Sequence, residues 1–190
     1  MQEAKRRAGR PLTAASLERA ALDYLERFAS SAADLRRVLL RRVKRAAERD
    51  GSDARAGAAL VEAVVARLTR AGLVDDARYA EAKAASLHRR GASRRMIAGQ
   101  LARHGIDRDR VAAALAGLAP AGVGDPDLAA ACALARRRRL GPYRAPEERA
   151  SRRDKDLAAL ARHGFSLEIA RRVLACADSA ELEALARGEA

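Results

Sequence analysis

Three histidines, two cysteines and one adjacent pair of aspartates are the residues of this chain whose types invite chemistry. Histidine can shuttle protons or hold zinc, a thiolate can attack or bind metal, and paired carboxylates can hold Mg²⁺ or divide acid and base roles. Two of the histidines, His104 and His163, stand in the same pentapeptide, LARHG, at Leu101–Gly105 and Leu160–Gly164. Neither has a cysteine near it in sequence, and no H-E-x-x-H occurs, so a zinc site at ligand spacing is not indicated. Cys132 and Cys176 form no C-x-x-C and lie in apolar helical contexts, where a free cysteine acts as a small hydrophobe. No G-x-S-x-G, P-loop or G-x-G-x-x-G is present. Asp75 and Asp76 are neighbours, so on a helix they do not face each other; capping and complementation of the helix dipole account for both. His88 sits at a basic helix end and reads as a surface residue. No catalytic, metal-binding or cofactor-binding residue is expected, and no cofactor.

Arginine is harder to set aside. Lys and Arg number 38 against 25 Asp and Glu, a net charge of +13 over 190 residues. The excess is spread along the first three quarters of the chain and is not a detachable tail. Paired or clustered cations occur at Arg36/Arg37, Arg41/Arg42, Lys44/Arg45, Arg89/Arg90, Arg94/Arg95, Arg136–Arg139 and Arg152/Arg153. Arg89, Arg90, Arg94 and Arg95 flank one turn; Arg136, Arg137, Arg138 and Arg139 flank a connection with Arg152 and Arg153. These ten are the candidate contacts to a polyanion or an acidic protein surface. With 3% aromatic residues and no Trp, base stacking is not expected as the main mode, whereas phosphate contact is.

The elements that must carry these side chains are helices. The chain is 49% hydrophobic, chiefly Ala, Leu and Val interleaved with Arg and Glu, all good helix formers except Val. Leu17, Ala20, Ala21, Tyr24, Leu25 and Phe28 fall at helical spacing and predict a helix over 13–29. Ser31 opens a second, with Leu35, Val38, Leu39 and Val43 inward; after Gly51-Ser-Asp53 a third buries Leu60, Val61, Val64, Val65 and Leu68 and ends at Gly72. Asp75 caps a fourth, with Val74 and Tyr79 placed to staple it. Ser93 caps a fifth that buries Met96, Ile97 and Leu101, and Asp107 a sixth with Val111, Leu115 and Leu118. PAGVGDP reads as a linker, and helices after Asp125, over 147–163 and after Ser166 follow. The order long helix, turn, helix, LARHG, helix recurs at an offset of 59 residues, aligning Gly105 with Gly164 and Ile106 with Phe165. The pentapeptide is therefore read as a joint: basic side chains at the negative helix end, and a glycine that turns the corner.

The fold expected is all-α: three tandem three-helix, helix-turn-helix-like repeats in an elongated, curved array. The expected boundaries are a disordered basic arm at 1–12, repeat one at 13–72 with an extended second helix and loop, repeat two with its linker at 73–124, repeat three at 125–177, and a tail at 178–190. No stretch approaches the ~18 apolar residues of a membrane span. The start, MQEAKRRAGRP, has no apolar segment after it, so a reduced, cytoplasmic monomer away from membranes is expected.

ALDYLERFASSAADLRRVLLRR, GLVDDARYAEAKAASLHRRGASRRMIAGQLARHGIDRDRVAAAL and DKDLAALARHGFSLEIARRVL together resemble the RecX family, regulators of the bacterial recombinase RecA. GLVDDARYAEA followed by RRGASRRMI is the most specific part. The family's structural positions fall on Gly72, Asp75, Asp76, Tyr79, Gly91, Ile97, Gly105, Gly164 and Phe165. The resemblance implies binding to the RecA–single-stranded-DNA filament, inhibition of its recombinase, ATPase and co-protease activities, and effects on DNA repair, recombination and the SOS response. It implies RecA and single-stranded DNA as partners, with double-stranded DNA a further candidate, and no catalysis by the chain. The alternative is a general helix-turn-helix-like DNA- or RNA-binding protein acting without RecA. RRVKRAAERDGSDARAGAAL departs from the family pattern, being longer and lacking a glycine at the corresponding joint of repeat one.

Overall fold

The structure, a computed structural model, describes residues 12–118 and 125–189; the arm expected before Leu12 and most of the expected linker lie outside the described residues. Among the described residues there are ten α-helices, one 3-10 turn and no strand. They are α1 (Ala14–Leu25), α2 (Ala32–Asp50), α3 (Ala54–Arg70), α4 (Asp76–Arg89), α5 (Arg94–Arg103), α6 (Arg108–Ala116), α7 (Pro126–Arg138), the turn Gly141–Tyr143, α8 (Pro146–Arg162), α9 (Leu167–Ala175) and α10 (Ser179–Arg187). The chain divides into two compact units, Met1–Tyr79 and Ala80–Ala190, with the boundary inside α4.

The first unit folds around α1–α3. Thr13 caps α1 in a reciprocal box with Ser16, Ser31 accepts the Asp34 N–H at the start of α2, and Asp53 accepts from Arg55 and Ala56 at the start of α3. Leu17 and Ala21, Leu35, Leu39 and Val43, and Val61, Val64, Val65 and Leu68 are the buried stripes, joined by Val74. Each such Leu or Val contributes roughly 1.5–3 kcal/mol on burial. One expectation changes here. The first helix stops at Leu25, where the Arg27 N–H tightens onto the Tyr24 carbonyl three residues back. Phe28 therefore leaves the core and stands 51% exposed. The second helix runs to Asp50 and is ended by Gly51 at φ 75.

In the second unit α7 lies between neighbours, packing on both α9 and α10. Leu128, Ala130, Ala131, Cys132, Leu134 and Ala135 are buried, which leaves little of its surface for solvent and explains its near-continuous apolar run. By contrast α4 buries only Ala80 and Ala84 within its length. On α6 Ala114 is buried while Val111, Leu115 and Leu118 are half-buried, so the expected apolar face is covered only in part. The segment expected to be a tail contains α10: Asp178 caps it, and Leu182 and Leu185 join the core of α7 and α9. Its nine residues carry a short apolar stripe whose partner, α7, is remote in sequence.

Candidate polyanion-binding surface

The repeated pentapeptide forms the same joint twice. His104 and His163 end their helices at φ −84, ψ 7 and φ −88, ψ 6, and Gly105 and Gly164 follow at φ 74 and 87. The Gly105 N–H donates to the Ala102 carbonyl (2.9 Å) and the Ile106 N–H to Leu101 (3.1 Å); Gly164 donates to Ala161 (2.9 Å) and Phe165 to Leu160 (3.3 Å). This is the Schellman pairing, with the buried pairs Leu101/Ile106 and Leu160/Phe165 supplying its hydrophobic contact. The His163 Nδ1–H donates to the Ala159 carbonyl (2.9 Å), so that ring ties down the last turn of its helix. Neither histidine is needed as a ligand to explain its place.

The same pair of bonds closes α4 at Gly91 and α7 at Arg139. Arg139, at φ 53, is the one non-glycine residue with positive φ among the described residues. An L-residue there costs about 1–2 kcal/mol, so the end of α7 stores strain at the position where the end of α4 has glycine.

The turn between α4 and α5 is docked from three directions. A Cβ on Gly91 would lie 2.7 Å from both the backbone nitrogen and the Cβ of Leu134, so the turn rests directly on the α7 backbone. Ser93, fully buried, accepts the Met96 N–H (3.2 Å) and donates to the His163 carbonyl (2.7 Å). One hydroxyl thus caps the start of α5 and satisfies a carbonyl at the end of α8. The Arg94 N–H donates to the Asp127 carboxylate (2.7 Å), and the His88 Nε2–H to the Pro126 carbonyl (2.7 Å). His88 is accordingly half-buried and bonded, not the surface residue expected.

Around this fixed turn stand Arg89, Arg90, Arg94 and Arg95, all exposed. Arg95 reaches toward the second joint, its Nε 3.6 Å from where a Cβ on Gly164 would sit. Arg90 folds back to the Ser86 carbonyl (3.1 Å) and hydroxyl (2.8 Å). The same turn carries all four, and Ser93 within it bonds the His163 carbonyl. Arg136 lies elsewhere, lining a groove of about 110 Å³ with Cys132, Tyr143, Leu182 and Glu183 between α7 and α10. Arg137, Arg138 and Arg139 continue its exposed helix end, and Arg152 and Arg153 are exposed on α8. None of the ten forms an ion pair among the described residues, whereas Arg36, Arg37, Arg67, Arg110 and Arg144 all have carboxylate partners. The unpaired set can therefore offer its charge to an outside anion without first breaking an internal bridge.

Two structural carboxylates escape local sequence reasoning. Asp156, 2% exposed, accepts a bidentate pair from Arg144 (both 2.8 Å) and the Gly141 N–H (2.9 Å), pinning the Gly141–Tyr143 turn to α8. Burial alone would raise its carboxyl, but the Arg144 bonds and the Gly141 N–H outweigh it and hold the group below the usual carboxylate range. Asp76 does more than complement its own helix: it accepts the Ala32 N–H (2.8 Å) at the start of α2. The thiols are inert by contrast, Cys132 being pushed up to about 12 and Cys176 also raised, both chiefly by burial. Among the described residues no three His, Cys, Asp or Glu side chains converge on a metal-sized site, and no helix is long and apolar enough to cross a membrane.

A family model described as RecX, second three-helix domain, matches residues 75–115, the stretch holding the docked turn and the first joint. The chain is 46% identical over 159 residues, 83% of each chain, to a regulatory protein RecX of Myxococcus xanthus (strain DK1622). It is 40% identical over 116 residues, 60% of each chain, to one from Thermobifida fusca (strain YX). Another, from Agrobacterium fabrum (strain C58), is 40% identical over 102 residues, 54% of this chain and 52% of its own. A crystal structure of a regulatory protein RecX superposes with a TM-score of 0.57 at 22% identity, covering 85% of this chain and 70% of that one, and supports the fold. With a relative this similar over this much of both chains, and with the family model matching residues 75–115, the chain belongs to the RecX family of regulatory proteins.

Proposed function

We propose that the chain binds the filament that RecA forms on single-stranded DNA and restrains it, lowering strand exchange, ATPase and co-protease activity without catalysing a reaction itself. Membership of a family of regulatory proteins, at 46% identity across 83% of the chain, is the observation that carries this reading. The ten exposed, unpaired arginines support it, because a filament presents both phosphates and protein carboxylates as counter-charge. The docked turn supports it further: Arg89, Arg90, Arg94 and Arg95 project from backbone held by Leu134, Asp127 and His163, so less order must be imposed when they bind. In a cell the consequence is damped recombinational repair and SOS signalling.

The test is to add the purified protein, at about one per several RecA subunits up to stoichiometric, to preformed filaments. ATPase, strand exchange and filament lifetime should all fall. Unchanged values of all three would remove the proposal. A sequence-specific footprint on duplex DNA without RecA would instead support a helix-turn-helix-like DNA-binding protein.

A further inference from the structure

We infer that the first unit carries its own binding site for single-stranded nucleic acid, formed by Tyr24, Arg27 and Phe28 at the end of α1 together with Arg42 and Arg45 of α2. It deepens the filament reading, on which its biological setting rests, by giving the nucleic acid a place outside the ten arginines discussed above.

The chain has only five aromatic residues and no Trp. Two of them pack together here at a tilt, the Tyr24 and Phe28 ring centroids lying 5.1 Å apart with 38° between the planes. The Arg27 guanidinium sits 5.6 Å from the Phe28 centroid, and Phe28 still keeps 51% of its surface exposed. An aromatic of this size is usually taken into a core; here the early end of α1 turns it outward. Beside it runs a groove of about 240 Å³ with Ala20, Val38 and Leu39 as its apolar lining, Tyr24 at its edge, and Arg27, Arg42 and Arg45 as its cations. One carboxylate, Asp23, also lines it, leaving two net positive charges. Arg42 and Arg45 are exposed and take part in no ion pair among the described residues.

An aromatic platform next to exposed guanidiniums, of which Arg27 also donates to the Asp23 carbonyl (3.2 Å), is the combination that single strands require: bases stack on the ring while phosphates follow the cations. Arg27 serves both ends, because a planar guanidinium stacks and also donates to phosphate. Duplex DNA does not fit this chemistry, since its bases are already stacked on one another. An acidic peptide would use the cations but not the ring, and that difference decides the experiment.

Replacing Phe28 by Trp places the only indole of the described chain on the platform. Titration of full-length Phe28→Trp with a dT oligomer of about 15 nucleotides, without RecA, should quench its fluorescence. In the Arg42→Gln/Arg45→Gln background binding should weaken, and the dependence of log affinity on log salt should lose about 1.4 of its slope. Phe28→Ala should weaken binding by about tenfold, while far-ultraviolet circular dichroism stays unchanged. Absence of quenching on binding, equal quenching by duplex DNA, or full affinity in the double arginine variant would each overturn the site. Binding of a poly-glutamate peptide that displaces the oligomer without itself quenching the indole would reassign the groove to an acidic protein partner. Because RecA is absent, any of these results leaves the filament reading standing on its own test.

Discussion

Substituting Gly91 by alanine separates two effects that are usually confounded. At φ +81 the residue lies in the left-handed region, where an L side chain costs about 1–2 kcal/mol. In addition its Cβ would come 2.7 Å from the Leu134 nitrogen and 2.8 Å from the Leu134 Cα. These are backbone atoms inside α7, which no rotamer change can move aside. Forcing helices apart at such a contact adds about 1–3 kcal/mol. Gly72 is the control: it has φ +71, but a Cβ there meets nothing within 4 Å. Gly72→Ala should therefore cost about 1–2 kcal/mol, from conformation alone, and Gly91→Ala about 2–5 kcal/mol. The assay is urea unfolding followed by helix dichroism, with amide hydrogen exchange to assign the loss. Protection should fall at the end of α4 and along α7 in Gly91→Ala, and only around residues 70–74 in Gly72→Ala. If the two variants lose equal stability, the close approach of the turn to α7 is not what the glycine is for.

Ser93→Ala removes a buried hydroxyl that serves two helices, and should cost about 2 kcal/mol, more than the ~1 kcal/mol of an ordinary cap such as Ser166→Ala, both read from urea midpoints. Asp156→Asn leaves Arg144 without its carboxylate and should cost about 3 kcal/mol at pH 7, the low end for a buried pair because Arg144 keeps 24% of its side chain exposed. Since the folded carboxyl titrates below its unfolded value, its contribution is complete above the unfolded pKa near 4 and disappears as pH falls through the lower folded value. The stability difference between wild type and Asp156→Asn should shrink in that window, which an acid titration of the melting temperature will show. Arg139→Gly should raise stability by about 1 kcal/mol by relieving the left-handed strain, while weakening filament binding; a variant that is no more stable would show that the strain is absent.

What could be read from the sequence was local. Ser31, Asp75, Ser93, Asp107, Asp125 and Ser166 were legible as caps because each bonds an N–H two or three residues on. The LARHG joints were legible because both of their hydrogen bonds close within six residues. The bonds that hold elements together were not. Asp76 reaches back 44 positions to Ala32, His88 forward 38 to Pro126, and Ser93 forward 70 to His163. Nothing in the spacing of those residues distinguishes them from residues that bond only to their own helix. Asp156 was invisible for the same reason, being one acid in the charged run of α8. Phe28 shows the opposite failure: its spacing fitted the core stripe, and the end of α1 three residues earlier removed it. For the candidate surface, the ten arginines were named by clustering alone. Their lack of internal carboxylate partners, and the locking of one group against α7 and α8, needed the folded chain.

The central claim is that this protein acts on an assembled filament through those arginines. Retention of the purified chain on immobilised single-stranded DNA, on free RecA and on the RecA–DNA filament, each across a salt titration, tests it most directly. Retention should be strongest on the filament. Replacing Arg89, Arg90, Arg94 and Arg95 by Gln should weaken it and flatten its salt dependence by up to about 2.8 in log–log slope, with helicity unchanged. Equal retention on bare DNA and on the filament, or a quadruple variant that binds the filament like wild type at every salt concentration, would contradict the account.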